Sequence, residues 1–206
     1  MNIKMLGTKL GMTQIFDETG AAVPVTVIHV GPCSITYIKT LSKHGYSALQ
    51  IGYLNISPTR LTKPLREYFN HLNVSPFKYL DEYKTNKIDQ YKIGDSITVK
   101  QFTQGQLITI SGVTIGKGFT GYQKRHNFSR GPMSHGSKNH RTPGSIGAGT
   151  TPGRVLPRTK MAGRSGARKI SVPKLKIMRI DAQNNILVVK GSIPGKPGNV
   201  VSITPQ

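Results

Sequence analysis

"AVPVTVIHV", residues 22–30, sets the reading of the whole chain. Its β-branched residues alternate with others and stop at Gly31-Pro32, the pattern of a strand closed by a turn. Working outward, "MTQIF" (residues 12–16) is a short strand candidate, and "DETG" a turn in which Gly20 is free to take positive φ. "SITYIKT" (34–40) and "SALQIGYL" (47–54) alternate again. Four short strands with turns between them predict an antiparallel sheet or barrel.

The same signal returns late in the chain. "QLITISGVTIGKG" (106–118) is a strand candidate ending at Gly116. "KLKIMRID" (174–181) and "NILVVKG" (185–191) are two strands joined at "AQNN" as a hairpin. "PGKPGN" (194–199) contains two successive Pro-Gly turns, and "VVSIT" (200–204) is a last strand. Those pairs, with Pro143-Gly144 and Pro152-Gly153, fit type II turns. Between the two strand-rich parts, Leu61, Leu65, Tyr68, Phe69 and Leu72 recur near helical spacing, with Pro64 where a first turn tolerates it. Five of the eight carboxylates fall at Glu67, Asp81, Glu82, Asp89 and Asp95, so this stretch reads as a solvated α/β insertion. The expected organisation is one domain with a β body from about 1–56, 96–116 and 170–206. The insertion covers about 57–95, and an irregular extension about 117–169.

The extension carries the functional signal. The chain has 206 residues and a formal charge of +21, which calls for an anionic partner. Between Asp95 and Asp181 there is no carboxylate, yet sixteen Lys and Arg stand there. An ordinary solvated surface mixes the two signs. Phosphate backbones offer the missing counter-charge densely. Eleven glycines from Gly116 to Gly166 let the main chain approach another backbone, and the prolines stiffen it. "GFTGYQKRHNF" (118–128) has room for one or two helical turns. The remaining large apolar groups, Phe119, Tyr122, Phe128, Met133, Ile146, Leu156 and Met161, are too few for a core but suit stacking on bases. Without a recognition helix, zinc finger or basic zipper, an irregular arm suits folded RNA better than DNA. The candidate RNA-binding residues are Lys117, Lys124, Arg125, His126, Arg130, His135, Lys138, His140, Arg141, Arg154, Arg158, Lys160, Arg164, Arg168 and Lys169. Gly144, Gly147, Gly149 and Gly153 are the candidates for close backbone approach, in a tip placed at residues 139–154.

Other chemistries fail on the residues. "GVTIGKG" (112–118) is one residue short of a P-loop and has Gly118 where Ser or Thr must bind magnesium. His126, His135 and His140 lie among cations that disfavour a bound metal, and no carboxylate is local for hydrolysis. Cys33 is the one cysteine and has no assigned base, so it reads as a small residue after a turn. No apolar run is long enough for a spanning helix and no basic amphipathic helix stands out, so no membrane partner is expected. The first sixteen residues lack the features of a secretory signal or transit peptide. The expectation is no enzyme, no cofactor, no metal and no small-molecule substrate.

Five ordered segments resemble one family. "LGTKLGMTQIF" (6–16), "GVTIGKGFTGYQKRHNF" (112–128), "GPMSHGSKNHRTPGSIG" (131–147), "TPGRVLPRTKMAGRSGARK" (151–169) and "ILVVKG" (186–191) look like the universal large-subunit ribosomal protein L3 family, over nearly the whole length. "VPVTVIHVGPC" (23–33) looks most like its cyanobacterial and plastid members, and the insertion is rich in Asn, Ile and Lys as in an AT-rich plastid gene. The resemblance implies a mainly β fold: a six-stranded translation-protein-type β-barrel with an inserted small α/β part and a long basic extension. It implies binding to the large (23S-type) ribosomal RNA beside neighbouring large-subunit proteins, an early role in subunit assembly, and an extension reaching toward the peptidyl-transferase centre. It also implies a plastid (chloroplast) ribosome and a plastid gene, with a bacterial cytoplasm as the alternative. Thr150 stands where some bacterial members carry a methylated glutamine, so no role is carried over for that side chain. A free-standing RNA chaperone or regulator using the same arm is the competing reading.

Overall fold

The computed structural model describes residues 3–85 and 88–205. Residues 86–87 of the predicted insertion lie outside the described residues. By its internal contacts the chain forms two units, one of Met1–Val113 with Lys169–Gln206, the other of Thr114–Arg168.

The larger unit holds two antiparallel sheets over one hydrophobic core. In chain order its elements are β1 (Met5–Phe16), β2 (Ala22–Val30), β3 (Cys33–Lys39), α1 (Leu41–His44), β4 (Ala48–Asn55), α2 (Lys63–Leu72), β5 (Phe77–Lys84), β6 (Ser96–Ile97) and β7 (Leu107–Val113). The smaller unit contributes β8 (Phe119–Thr120), α3 (Tyr122–His126) and β9 (Gly163–Arg164). The chain then returns through β10 (Lys169–Asp181), β11 (Ile186–Lys190) and β12 (Val200–Pro205). Six strands pair in the order β1-β12-β7-β10-β11-β2, and β2 pairs back onto β1, closing the sheet into a ring. Closure leaves no edge strand to template aggregation.

The inward face of the ring follows from strand alternation. Ile108 and Ile110 of β7, Leu187 and Val189 of β11, and Val201 and Ile203 of β12 are buried, as is Ile177 of β10. β2 buries Val25, Ile28 and Val30. Its change of phase matches a bulge opposite, where the β1–β2 register shifts between Lys9 and Gly11. β1 is longer than "MTQIF" predicts, because its Gly- and Lys-bearing first half pairs with β12 as well as β2. β7 ends at Val113 rather than Gly116. The β10–β11 hairpin closes on the Asp181 carboxylate, which accepts from the Gln183 and Asn184 amides and from Asn184 Nδ2.

One placement differs from the sequence reading. Residues 1–56 and 96–116 were expected to build the ring, but β3, β4 and β6 leave it and join β5 in a four-stranded sheet in the order β5-β4-β3-β6. Gly31, at φ 70°, turns the chain between β2 and β3. β4 is then central and covered on both faces, so Ala48, Leu49, Ile51 and Tyr53 are all buried. Gly52 admits no side chain, because a Cβ there would strike the Phe77 ring. α2 buries only Phe69, which meets Phe77 edge-on with centroids 6.5 Å apart. Pro64 sits in its first turn and Asn73 caps its end in the left-handed region.

Leu49, Ile51, Tyr53, Ile97, Val99 and Phe102 join Met5, Ile28, Ile110 and Ile203 in one continuous core. Cys33 belongs to it. The thiol is fully buried beside the Leu6 backbone, and burial pushes its pKa up to about 12. Lys9 is also buried, and its ammonium donates to the carbonyls of Ile193 at 2.9 Å and Gly195 at 2.8 Å. Two ion pairs occur among the described residues, Lys4–Asp81 and Lys39–Glu82. Both lie in the larger unit.

Candidate nucleic-acid interface

The unit Thr114–Arg168 is a hairpin-like arm with an ordered base and an extended loop. At the base the two limbs run antiparallel. Thr114 N donates to Arg168 O at 2.9 Å, Lys117 N to Ser165 O at 2.9 Å, and Ser165 N to Gly118 O at 2.9 Å. The ladder continues where β8 pairs β9, with Phe119 opposite Arg164 and Thr120 opposite Gly163. Gly166, at φ 72°, lets the limbs touch, because a Cβ there would overlap the Ile115 carbonyl.

Above the ladder the single turn of α3 packs on the returning limb. Arg125 Nη1 donates to Met161 O at 2.6 Å, and His126 Nε2 lies 2.9 Å from the same oxygen. Gly163 leaves the space in which the Arg125 guanidinium lies. Tyr122 and Phe128 stack with centroids 5.9 Å apart, and Lys160 holds its ammonium 5.9 Å from the Phe128 ring. Asn127 ends the helix in the left-handed region. This cluster of rings and cations is the nearest thing the arm has to a core.

Beyond it the chain is irregular and open. Gly131 N donates to His140 O at 3.2 Å, and His140 Nδ1 lies 2.9 Å from Pro132 O, closing a small loop. A Cβ at Gly131 would overlap the Asn139 carbonyl. Residues 141–160 are exposed without exception. Gly144 and Gly153, each after a proline, take φ of 77° and 72°, the sign the turn reading requires, but of these two sites a turn forms only at residues 150–152 and none at Pro143-Gly144. Gly149 has φ 91°, while Gly147 has ordinary φ, and a Cβ at Gly144, Gly147 or Gly149 would meet nothing within 4 Å. So the protein's own closest approaches fall at Gly131, Gly163 and Gly166, which sequence reasoning did not single out; of the four candidates only Gly153 comes near, where a Cβ would lie 3.3 Å from the Thr150 carbonyl oxygen.

The predicted RNA-binding residues divide accordingly. Lys117, Lys124, Arg130, His135, Lys138, Arg141, Arg154, Arg158, Lys160, Arg164 and Arg168 are exposed on the arm, and Lys169 is exposed at the start of β10. Arg125, His126 and His140 turn inward and bond backbone carbonyls. The unit holds eleven Lys and Arg and no carboxylate of its own. Such a surface concentrates anions, and its exposed loop presents donors without competing acceptors of negative charge. Among the described residues no group of three His, Cys, Asp or Glu is placed to hold a metal. No helix of the described residues is long and apolar enough to cross a membrane.

The family model described as ribosomal protein L3 matches residues 82–185, which include the whole arm. The chain is 56% identical over 206 residues to the large ribosomal subunit protein uL3c of Phaeodactylum tricornutum, covering all of both chains. It is 56% identical to uL3c of Gracilaria tenuistipitata var. liui, over 98% of this chain and 99% of the relative. It is 56% identical to uL3 of a Synechococcus species, over all of this chain and 96% of the relative.

Proposed function

The chain belongs to the ribosomal protein L3 family, and from that footing we propose that it is a structural, non-enzymatic constituent of the large ribosomal subunit. Its body is the translation-protein-type barrel with an inserted α/β part. Its arm binds the large (23S-type) ribosomal RNA and reaches toward the peptidyl-transferase centre, and the protein acts early in subunit assembly. Neighbouring large-subunit proteins are its other partners. Plastid and cyanobacterial relatives at 56% identity support a plastid ribosome, with a cyanobacterial or bacterial cytoplasm as the alternative.

One observation carries the RNA assignment: an ordered arm base holds out a loop with uncompensated cations and no carboxylate. The larger unit balances its charges in part, through Lys4–Asp81 and Lys39–Glu82, whereas the arm has nothing of its own to balance with. Folding onto a polyanion supplies that balance and orders the loop at the same moment. Sedimentation of a lysate through a sucrose gradient tests the assignment. The expected result is a stoichiometric band with large subunits. A protein that stays at the top of the gradient would instead be a free RNA chaperone or regulator.

A further inference from the structure

The three Phe and Tyr side chains of the arm are not equivalent. Tyr122 and Phe128 are engaged with each other, with His126 6.0 Å from Phe128 and Lys160 against its ring. Phe119 has no such partner. It is 79% exposed, the most exposed large apolar side chain among the described residues.

Its exposure is not that of a loose loop. Phe119 sits in β8, paired with Arg164 of β9, with the Ser165–Gly118 hydrogen bond on one side of it. On the other side Thr120 is buried and its hydroxyl lies 3.4 Å from Gly163 O. The backbone is therefore fixed, and the ring is held in water by a ladder that cannot turn it inward. Residues directly opposite in an antiparallel pair project on the same face, so Arg164 leaves the ladder on the same side as the ring.

The surroundings select the partner. An aromatic ring and an arginine on one face of a strand pair, in a unit with no carboxylate, complement a planar group attached to a phosphate. Phe16 makes the contrast. It is 67% exposed but is followed directly by Asp17 and Glu18, which repel phosphate. We propose that Phe119 is a stacking platform for one unpaired nucleobase of the bound RNA, with Arg164 pairing the adjoining phosphate. The proposal deepens the RNA-binding reading above and rests on it.

The test uses the full-length protein and a transcript of the large ribosomal RNA, comparing wild type with Phe119→Ala, Phe119→Leu and Phe119→Tyr. Binding is titrated at several salt concentrations, and ultraviolet crosslinks are mapped by mass spectrometry. Loss of one base–aromatic stack weakens binding by roughly 5- to 150-fold. That loss is expected for Ala and Leu, with Tyr close to wild type. No charge is removed, so the salt slope stays the same. The free protein's melting is unchanged, and a crosslink joins residue 119 to a base. Leu binding as tightly as wild type, while wild type keeps its steep salt slope, overturns the stacking role and leaves the RNA reading intact. A flat wild-type slope overturns both. Melting that falls in Phe119→Ala, or a crosslink from residue 119 to protein in assembled subunits, shows that the ring packs on protein and overturns the stacking role.

Discussion

Removing single charges from the arm separates cations that meet RNA from cations that build the protein. Of the eleven Lys and Arg in the unit Thr114–Arg168, Arg125 is spent internally on the Met161 carbonyl, leaving ten directed to solvent. Each phosphate neutralised contributes about −0.7 to −0.9 to the slope of log K against log salt, so ten contacts give about −7 to −9. Doubling the salt should then weaken binding by roughly 100- to 500-fold. Arg130→Gln and Arg141→Gln should each flatten the slope by about 0.7 to 0.9 and leave the free protein's melting unchanged. Arg125→Gln should do the reverse. Its slope stays at the wild-type value, but the arm base loses a hydrogen bond from a charged donor, about 1.5–3 kcal/mol. Amides that bridge the limbs, at Lys117 and Ser165, should exchange with solvent roughly 10- to 150-fold faster. Filter binding gives the slopes and mass spectrometry the exchange rates. An Arg125→Gln slope flattened as much as that of Arg130→Gln would refute the inward assignment. A wild-type slope shallower than about −2 would refute the electrostatic account altogether.

Three further outcomes are expected. Gly147→Val meets no neighbour and no backbone strain in the free protein, so its melting should match wild type while subunit yield and rRNA probing near the tip change; normal yield and probing would make the tip a passive loop. Stability should fall above pH 9, because the buried Cys33 thiol keeps its proton to about 12 while the unfolded thiol loses it near 9.0, which predicts a slope of about 1.4 kcal/mol per pH unit in that window. Chemical denaturation from pH 8 to 10.5 measures it, and a Cys33→Ala variant with an unchanged slope would count against the assignment. Lys39, then Tyr46, hold the Glu82 carboxylate below its ordinary range, so their contribution is present at neutral pH and lost as acid protonates the group below about 4.5; Glu82→Gln should abolish that acid-side loss in a melting series.

The strands of the ring were readable where one face is buried. Residues 22–30, 106–113 and 186–190 alternate because their inward side chains are the core. Beyond the β10–β11 hairpin, which the "AQNN" turn announces, the pairing partners were not readable. "SALQIGYL" looks like its neighbours, yet β4 is buried on both faces and belongs to the other sheet, and alternation names no partner strand. In the arm, the absence of carboxylates was plain from composition. Which cations turn inward was not, since Arg125 and His126 bond a main-chain carbonyl, a group every residue carries. For the same reason Phe119, Tyr122 and Phe128 were indistinguishable as letters, although one is 79% exposed and the other two stack. The stretch 141–160 is open, but 163–168 is laddered to 114–120 and should exchange slowly.

The clasp on the Met161 carbonyl also sets a length. By tying the end of α3 to the returning limb, it turns residues 127–160 into a leash with both ends fastened at one point. A chain that must go out and come back has only half its contour for distance. At about 3.3–3.6 Å per extended residue, its furthest point lies no more than roughly 55–60 Å from the clasp. Every glycine turn in the loop spends some of that distance on changing direction. Deleting one residue from each limb draws the limit in by about 3.5 Å, the size of a single base stack, without altering any charge.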